Sequence, residues 1–309
     1  MAKLFCLPDK LSVAVDDGAD LLHALLRAGI PHAHACGGNG RCSTCRCRVL
    51  EGVEHCLPRN EAEREIAERL RFGPEIRLAC QTRIDGDVRL RRLVLDDEDV
   101  ALAEEMASGG ALHSVGEEKR ACVLFADIRG FTEFAESLPA HDVIHVLNRY
   151  FRQMGRVINR HGGYIDNYMG DGVMALFGIE DPNDAPLRAV RAGLGMLDAV
   201  GELRAYLEMA YGKWFQIGIG LHYGDVVVGG IGAGEVKKVT VIGDTVNLTS
   251  RIEAATKEVG ARFLISEDTY ARVRDAVSVG RQVQVRLRGK RGAHTLYEVL
   301  GLRGDASPA

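Results

Sequence analysis

The spacing of the cysteines constrains this chain more than any other feature. In "CGGNGRCSTCRC", residues 36 to 47, Cys36, Cys42 and Cys45 form C-x5-C-x2-C, and Cys80 in "LACQ" follows after a gap that holds a helical pattern. Any fold for this region must gather three thiols on one loop with a fourth on a returning segment. In a reducing compartment such short spacings mark metal ligands or redox groups rather than disulfides. A [2Fe-2S] cluster takes two thiolates at each iron and suits the set. Gly37, Gly38 and Gly40 let the loop take positive φ and turn amide N–H groups toward anionic sulfides. Zinc is the rival metal, but its structural sites usually show two C-x2-4-C knuckles, and only one is present. A Rieske centre needs two histidine ligands, whereas the "HAHAC" pair precedes Cys36. His32 and His34 therefore read as packing or surface groups. Cys47 would share a strand face with Cys45 and is a substitute ligand in principle; with Cys6, Cys56 and Cys122 it reads as an ordinary thiol.

The 309 residues suffice for about two cores at roughly 150 residues each. Residues 1–95 read as a small mixed α/β unit: strands "KLFCL" and "LSVAV", a helix "ADLLHALLRAG", the cysteine loop, a strand "RCRVLEG", a helix "NEAEREIAERL", and a hairpin "IRLACQTRIDGDVRLRRL" turning at Asp85-Gly86. Residues 96–117, with "LDDEDVALAEEMASGG", read as a linker bearing a short helix without a core-sized apolar face. From 118 to 300, apolar strands "ACVLFADI", "GVMALFG", "FQIGIGLH" and "DVVVGGIG" alternate with long helices, implying a sheet covered by helices; 301–309 is a tail. The net charge of −4 gives no general reason to expect nucleic acid or an anionic membrane as partner. No apolar run approaches the ~20 residues that span a bilayer, and "MAKLFCLPDK" lacks the apolar core of a leader. A soluble, cytoplasmic protein is expected.

In the larger region, Asp127 ends the strand "ACVLFADI", and Gly170-Asp171-Gly172 joins two strand patterns so that Asp171 sits at a tight hairpin tip. Two carboxylates at adjacent strand ends make a site for paired Mg²⁺ or Mn²⁺ ions, which hold phosphate substrates through few carboxylates. Asn247 and Arg251 stand at i and i+4 of a helix that Asp244 or Thr245 would cap, so their side chains share one face. Lys290 lies in the basic loop "VRLRGKRGAHTLYEV"; Arg286, Arg288 and Arg291 around it read as surface. The glycines of "VVVGGIGAGE" miss the G-x-G-x-x-G spacing of a dinucleotide loop, and a glycine-rich hairpin is expected instead.

On these residues two resemblances stand out. Residues 1–95 resemble a [2Fe-2S] ferredoxin of β-grasp fold, the x5 gap being similar to the adrenodoxin-like branch, which implies Cys36, Cys42, Cys45 and Cys80 as cluster ligands. "FADIRGFT", "GDGVMALF" and "VTVIGDTVNLTSRIEAATK" resemble the motifs of class III nucleotide cyclases, over about 118–300. The resemblance implies a ferredoxin-like βαββαβ core and a head-to-tail homodimer with shared active sites. Asp127, Asp171 and the Ile128 carbonyl would hold two Mg²⁺ or Mn²⁺ ions, with the Gly130, Phe131 and Thr132 amides facing the triphosphate. Asn247 would orient the ribose, Arg251 would stabilise charge on the α-phosphate, and Lys290 would hold the terminal phosphates.

Base choice departs from the family pattern. Asn167 stands four residues before Asp171, where adenylyl cyclases usually carry Lys and guanylyl cyclases Glu. An Asn amide serves adenine in one orientation and guanine after a flip. Its partner Thr240 resembles a bacterial adenylyl subclass and favours ATP, with GTP as the alternative. No Gly-Gly-Asp/Glu-Glu-Phe turn of a diguanylate cyclase is present. The combined expectation is an ATP-consuming cyclase regulated by cluster redox state or occupancy, with room for a redox partner protein. The rivals are an electron carrier with a non-catalytic nucleotide-binding domain, and a purely structural cluster.

Overall fold

The computed structural model describes residues 2–16, 18–93, 99, 116–231, 238–287 and 292–304. Most of the expected linker and Lys290 lie outside the described residues. The described chain divides into two compact units, taken in turn.

The smaller unit is a five-stranded sheet carrying two helices. β1 (Ala2–Leu7) and β2 (Leu11–Val15) pair antiparallel, and β1 also pairs parallel with β5 (Val88–Arg92). β3 (Arg46–Glu51) lies between β5 and β4 (Ile76–Leu78), giving the order β2-β1-β5-β3-β4 of a β-grasp. Alternation explains the core: Leu4 and Cys6 of β1, Val13 and Val15 of β2, and Val88 and Leu90 of β5 are buried. They pack on Leu21, Leu22 and Leu25 of α1 (Leu21–Arg27), which Asp20 caps by accepting from the His23 amide. The expected hairpin across Asp85-Gly86 is overturned. β4 and β5 both pair with β3, one on each side, because the chain between them must first return Cys80 to the cysteine loop. Gly86 is not a positive-φ turn residue; a Cβ there would collide with the His55 ring.

A buried ion pair ties the second helix, α2 (Glu61–Leu70), to this return. Arg77 grips Glu63 through two bonds of 2.9 Å, while the Leu78 amide also donates to Glu63 at 2.8 Å. Both side chains are nearly inaccessible, so removing either would strand a buried charge.

The larger unit begins with β6 (Glu117–Ile128), followed by α3 (Phe131–Glu136), α4 (Ala140–Arg160), β7 (Gly163–Met169), β8 (Gly172–Phe177), α5 (Ala185–Tyr211) and β9 (Ile217–Ile231). These strands lie in the order β9-β6-β8-β7, the ferredoxin-like βαββαβ arrangement. β11 (Phe263–Ser266), β13 (His294–Leu302) and β12 (Val277–Val285) extend the sheet beyond β9, and β10 (Lys238–Ile242) pairs with β9 off the main path. "FQIGIGLH" and "DVVVGGIG" were expected as two strands but form the single β9. The hairpin reading of the glycine-rich stretch agrees with the β9–β10 pairing, with 232–237 outside the described residues.

α4 shows why its sequence is helical here. Val146, Tyr150, Met154 and Ile158 recur every four residues and are the helix's buried positions. They pack with Cys122, Leu124, Ala126 and Ile128 of β6 in one core. Each such burial is worth about 1.5–3 kcal/mol, and together they fix the C-terminal end of β6. Among the described residues no helix is long and apolar enough to cross a membrane.

Candidate functional site

β6 ends at Asp127 and Ile128, and β8 lies directly beside it, with Ala126 opposite Val173. The β7–β8 turn closes at the Met169–Gly172 pair, leaving Gly170 and Asp171 as a two-residue loop. Gly170 takes φ +64° while Asp171 keeps a negative φ, as a hairpin turn with glycine first requires. The two carboxylates therefore meet. Asp171 Oδ2 accepts from the Ile128 amide at 3.2 Å. Burial, a hydrogen bond to Asp171 and that neighbour's charge raise Asp127 to about 6. Gly172 leaves the room: a Cβ there would stand 3.3 Å from Asp127 Oδ1.

A third carboxylate belongs to this acidic cluster. Glu253, on α6 (Asp244–Val259), is raised to about 7 by burial and by the charges of Asp127 and Asp171. The guanidinium of Arg129 opposes this on both Asp127 and Glu253. Its buried Nη2 has no hydrogen-bond partner among the described residues. A carboxylate whose charge is disfavoured by burial and by an acidic neighbour, as that of Asp127 is, suits a divalent cation, whose charge would offset both.

The Gly130, Phe131 and Thr132 segment opens α3, with Gly130 at φ +66°. α6 presents Asn247 and Arg251, and neither side chain makes a hydrogen bond or ion pair among the described residues. No such bond joins them to Asp127 or Asp171. The expected side-chain cap is absent: Gly243 is the cap residue, and the Thr245 hydroxyl donates to the Asp225 carbonyl at 2.6 Å instead. Asn167 is exposed on β7. Thr240 on β10 donates to Asp166 Oδ2 at 2.7 Å. Glu253, Arg129 and Asp166 were missed in the sequence. For Asp166 the available signal was its place immediately before Asn167, the expected base-reading position.

In the smaller unit the four cysteines fall into two pairs. Cys45 Sγ lies 3.4 Å from Cys80 Sγ, and Cys36 is hydrogen-bonded to Cys42. That bond, with the backbone amides of Arg41, Asn39 and Cys42, pulls Cys36 down to about 5. Cys80 falls to about 7 through its bonds to Cys45 and Gln81 and the Gly40 amide. Their partners Cys42 and Cys45 are pushed up, retaining the shared proton. Gly37, Gly38 and Gly40 all take positive φ, as the loop requires. Among the described residues no three potential ligands gather as one metal ion would need. Two thiol pairs fit a diiron cluster better than a single zinc. Cys47 is fully buried and points at the Arg77 carbonyl, and His32 bonds the Cys45 carbonyl at 3.0 Å.

The sheet order and the aspartate pair mark the larger unit as a ferredoxin-like domain with an acidic centre at its strand ends. The chain belongs to the adenylate and guanylate cyclase catalytic domain family, whose sequence model matches residues 114–301. The 2Fe-2S iron-sulfur cluster binding domain model matches residues 5–85 and implies such a cluster there. An adenylate cyclase of Anabaena cylindrica is 37% identical over 188 residues, covering 59% of this chain and 37% of that protein. The crystal structure of the guanylyl cyclase Cya2 aligns with a TM-score of 0.58 at 36% identity, covering 62% of this chain and 97% of the other. That of the adenylyl cyclase CyaB from P. aeruginosa gives 0.57 at 32%, covering 62% and 99%. The chain thus spans little more than a third of its curated Anabaena relative.

Proposed function

We propose that the protein converts ATP to 3′,5′-cyclic AMP and pyrophosphate at sites shared by two copies of the chain, under control of its [2Fe-2S] domain. The observation that carries this reading is the meeting of Asp127, raised to about 6, with Asp171, which accepts from the Ile128 amide. Divalent cations there would supply charge for the triphosphate and lower the pKa of the attacking 3′-hydroxyl. Asp127, Asp171 and the Ile128 carbonyl would hold them. The Gly130, Phe131 and Thr132 amides belong to the first turn of a helix, where backbone donors lack helical acceptors and suit phosphate oxygens. The side chains of Asn247 and Arg251 have no hydrogen bond or ion pair among the described residues and share one helix face. In the shared site they come from the second copy, Asn247 holding the ribose and Arg251 meeting charge that develops on the α-phosphate. A preorganised donor of this kind is typically worth ~2.7–4 kcal/mol. Lys290, outside the described residues, takes the terminal phosphates.

ATP is supported by Thr240 and by the Anabaena and P. aeruginosa relatives; GTP is the second reading, favoured by the likeness to Cya2. Regulation follows from shared sites, since a rotation between copies that moves Arg251 by about 1 Å costs ~100-fold in rate. The test is production of cyclic AMP and cyclic GMP by anaerobically purified, cluster-loaded protein with Mn²⁺ or Mg²⁺, oxidised and then reduced. Cyclic AMP at rates that change on reduction is expected. No product from either nucleotide refutes the activity, and equal rates in both states refute redox gating.

A further inference from the structure

β7 carries one residue more than the strand beside it. Ile165 stands opposite Ala175 and Asn167 opposite Met174, so Asp166 is the extra residue of a β-bulge, a device that re-aims a side chain. Asp166 is only 7% exposed, and its Oδ2 accepts the Thr240 hydroxyl proton at 2.7 Å. The bond holds Thr240 of β10 beside the residue that precedes Asn167. A threonine hydroxyl has one proton and two lone pairs. With the proton committed to a carboxylate, Thr240 can offer a base nothing but lone pairs.

We infer that Asp166 is a positioning residue that sets base choice by making Thr240 an obligate acceptor. The inference rests on the proposed reading in which Asn167 and Thr240 face the purine, with Thr240 at the position-6 substituent. Adenine presents an N–H donor there and guanine a carbonyl acceptor. A lone pair of Thr240 receives the adenine amine, with the Asn167 amide donating to N1. Against guanine the same lone pair meets O6 with no proton between them. A threonine free to rotate would donate to O6 instead and discriminate little. The sequence feature that separates ATP from GTP is therefore the Asp166–Thr240 couple rather than Thr240 alone.

Steady-state kinetics with ATP and with GTP test this on the full chain, cluster-loaded, as wild type, Asp166→Ala, Thr240→Val and the double variant Asp166→Ala/Thr240→Asp. Wild type should prefer ATP. Asp166→Ala should lower the ATP:GTP ratio of kcat/KM by roughly 10- to 100-fold, mainly through KM, because base contacts bind ground and transition states alike. Thr240→Val should weaken ATP use without any gain for GTP. The double variant should recover ATP preference, since a carboxylate at 240 is again an acceptor alone. A folded Asp166→Ala enzyme with an unchanged ratio, or with kcat reduced equally for both nucleotides, overturns the inference while leaving the cyclase reading intact. Should that variant fail to fold, Asp166→Asn takes its place: its amide can turn its N–H toward the hydroxyl and free the proton, so the ratio must again fall. Wild type that prefers GTP also overturns the inference, and wild type inactive on both removes the reading beneath it.

Discussion

Replacing Glu253 by Gln should change how the metal-free protein responds to pH. Glu253 is raised from 4.5 to about 7 by burial first, then by the charges of Asp127 and Asp171. Because its folded value lies above its unfolded one, the group favours the fold below about pH 4.5, and that contribution is lost as pH rises through about 7. Full conversion of the shift at ~1.4 kcal/mol per pH unit gives about 3 kcal/mol. Glu253 is partly exposed, and screening reduces this to about 2 kcal/mol. Glu253→Gln has no charge to gain, so its stability relative to wild type should rise by about 2 kcal/mol between about pH 5 and pH 8.5. For a unit of this size that is roughly 4–8 °C in Tm. The assay is thermal unfolding in chelator, followed by fluorescence of Trp214, the single tryptophan of the chain, which reports the larger unit. Saturating Mn²⁺ should shrink the difference, since a cation neutralises Asp127 and Asp171. Parallel pH profiles for wild type and variant would refute the acidic cluster.

Other consequences follow from single contacts. Gly172→Ala places a methyl 3.3 Å from Asp127 Oδ1; kcat should fall about 10-fold with KM little changed, and steady-state rates check it. Arg77→Met leaves Glu63, 1% exposed, without its cation; it should cost about 3–5 kcal/mol and release the cluster, read by visible absorption and urea unfolding. Cys45→Ser breaks the 3.4 Å pair with Cys80 and should abolish cluster absorption, whereas Cys47→Ser, at a core thiol, should retain it.

How much could be read in the sequence varied with the range of the interaction. Motifs local in the chain were legible: the cysteine loop needs positive φ at Gly37, Gly38 and Gly40, and the two-residue turn that carries Asp171 was visible as Gly-Asp-Gly. Strand pairing at a distance was not. The alternation on either side of Asp85-Gly86 satisfied the pattern of a hairpin, yet β3 intervenes between β4 and β5, and alternation carries no information about which strand will pair. The α6 cap failed for a related reason: the helix starts at Asp244 with Gly243 as its cap residue, so Thr245 falls inside the first turn, where its hydroxyl donates to the Asp225 carbonyl. Glu253 was invisible, and Asp166 offered only its place before Asn167, because each acquires its role from a partner far along the chain. A bulge of one residue, which decides where Asp166 points, leaves no mark in composition or periodicity.

The most direct test of a site divided between two copies is complementation. Asp171→Asn and Arg251→Ala chains, each alone, should be inactive or slowed at least about 100-fold. Coexpressed with different tags, they should assemble mixed dimers in which one site keeps Asp127 and Asp171 from one copy and Asn247 and Arg251 from the other. Random assembly predicts roughly a quarter of wild-type cyclic AMP production. Mixed dimers recovered through both tags yet no more active than either parent would contradict the shared site.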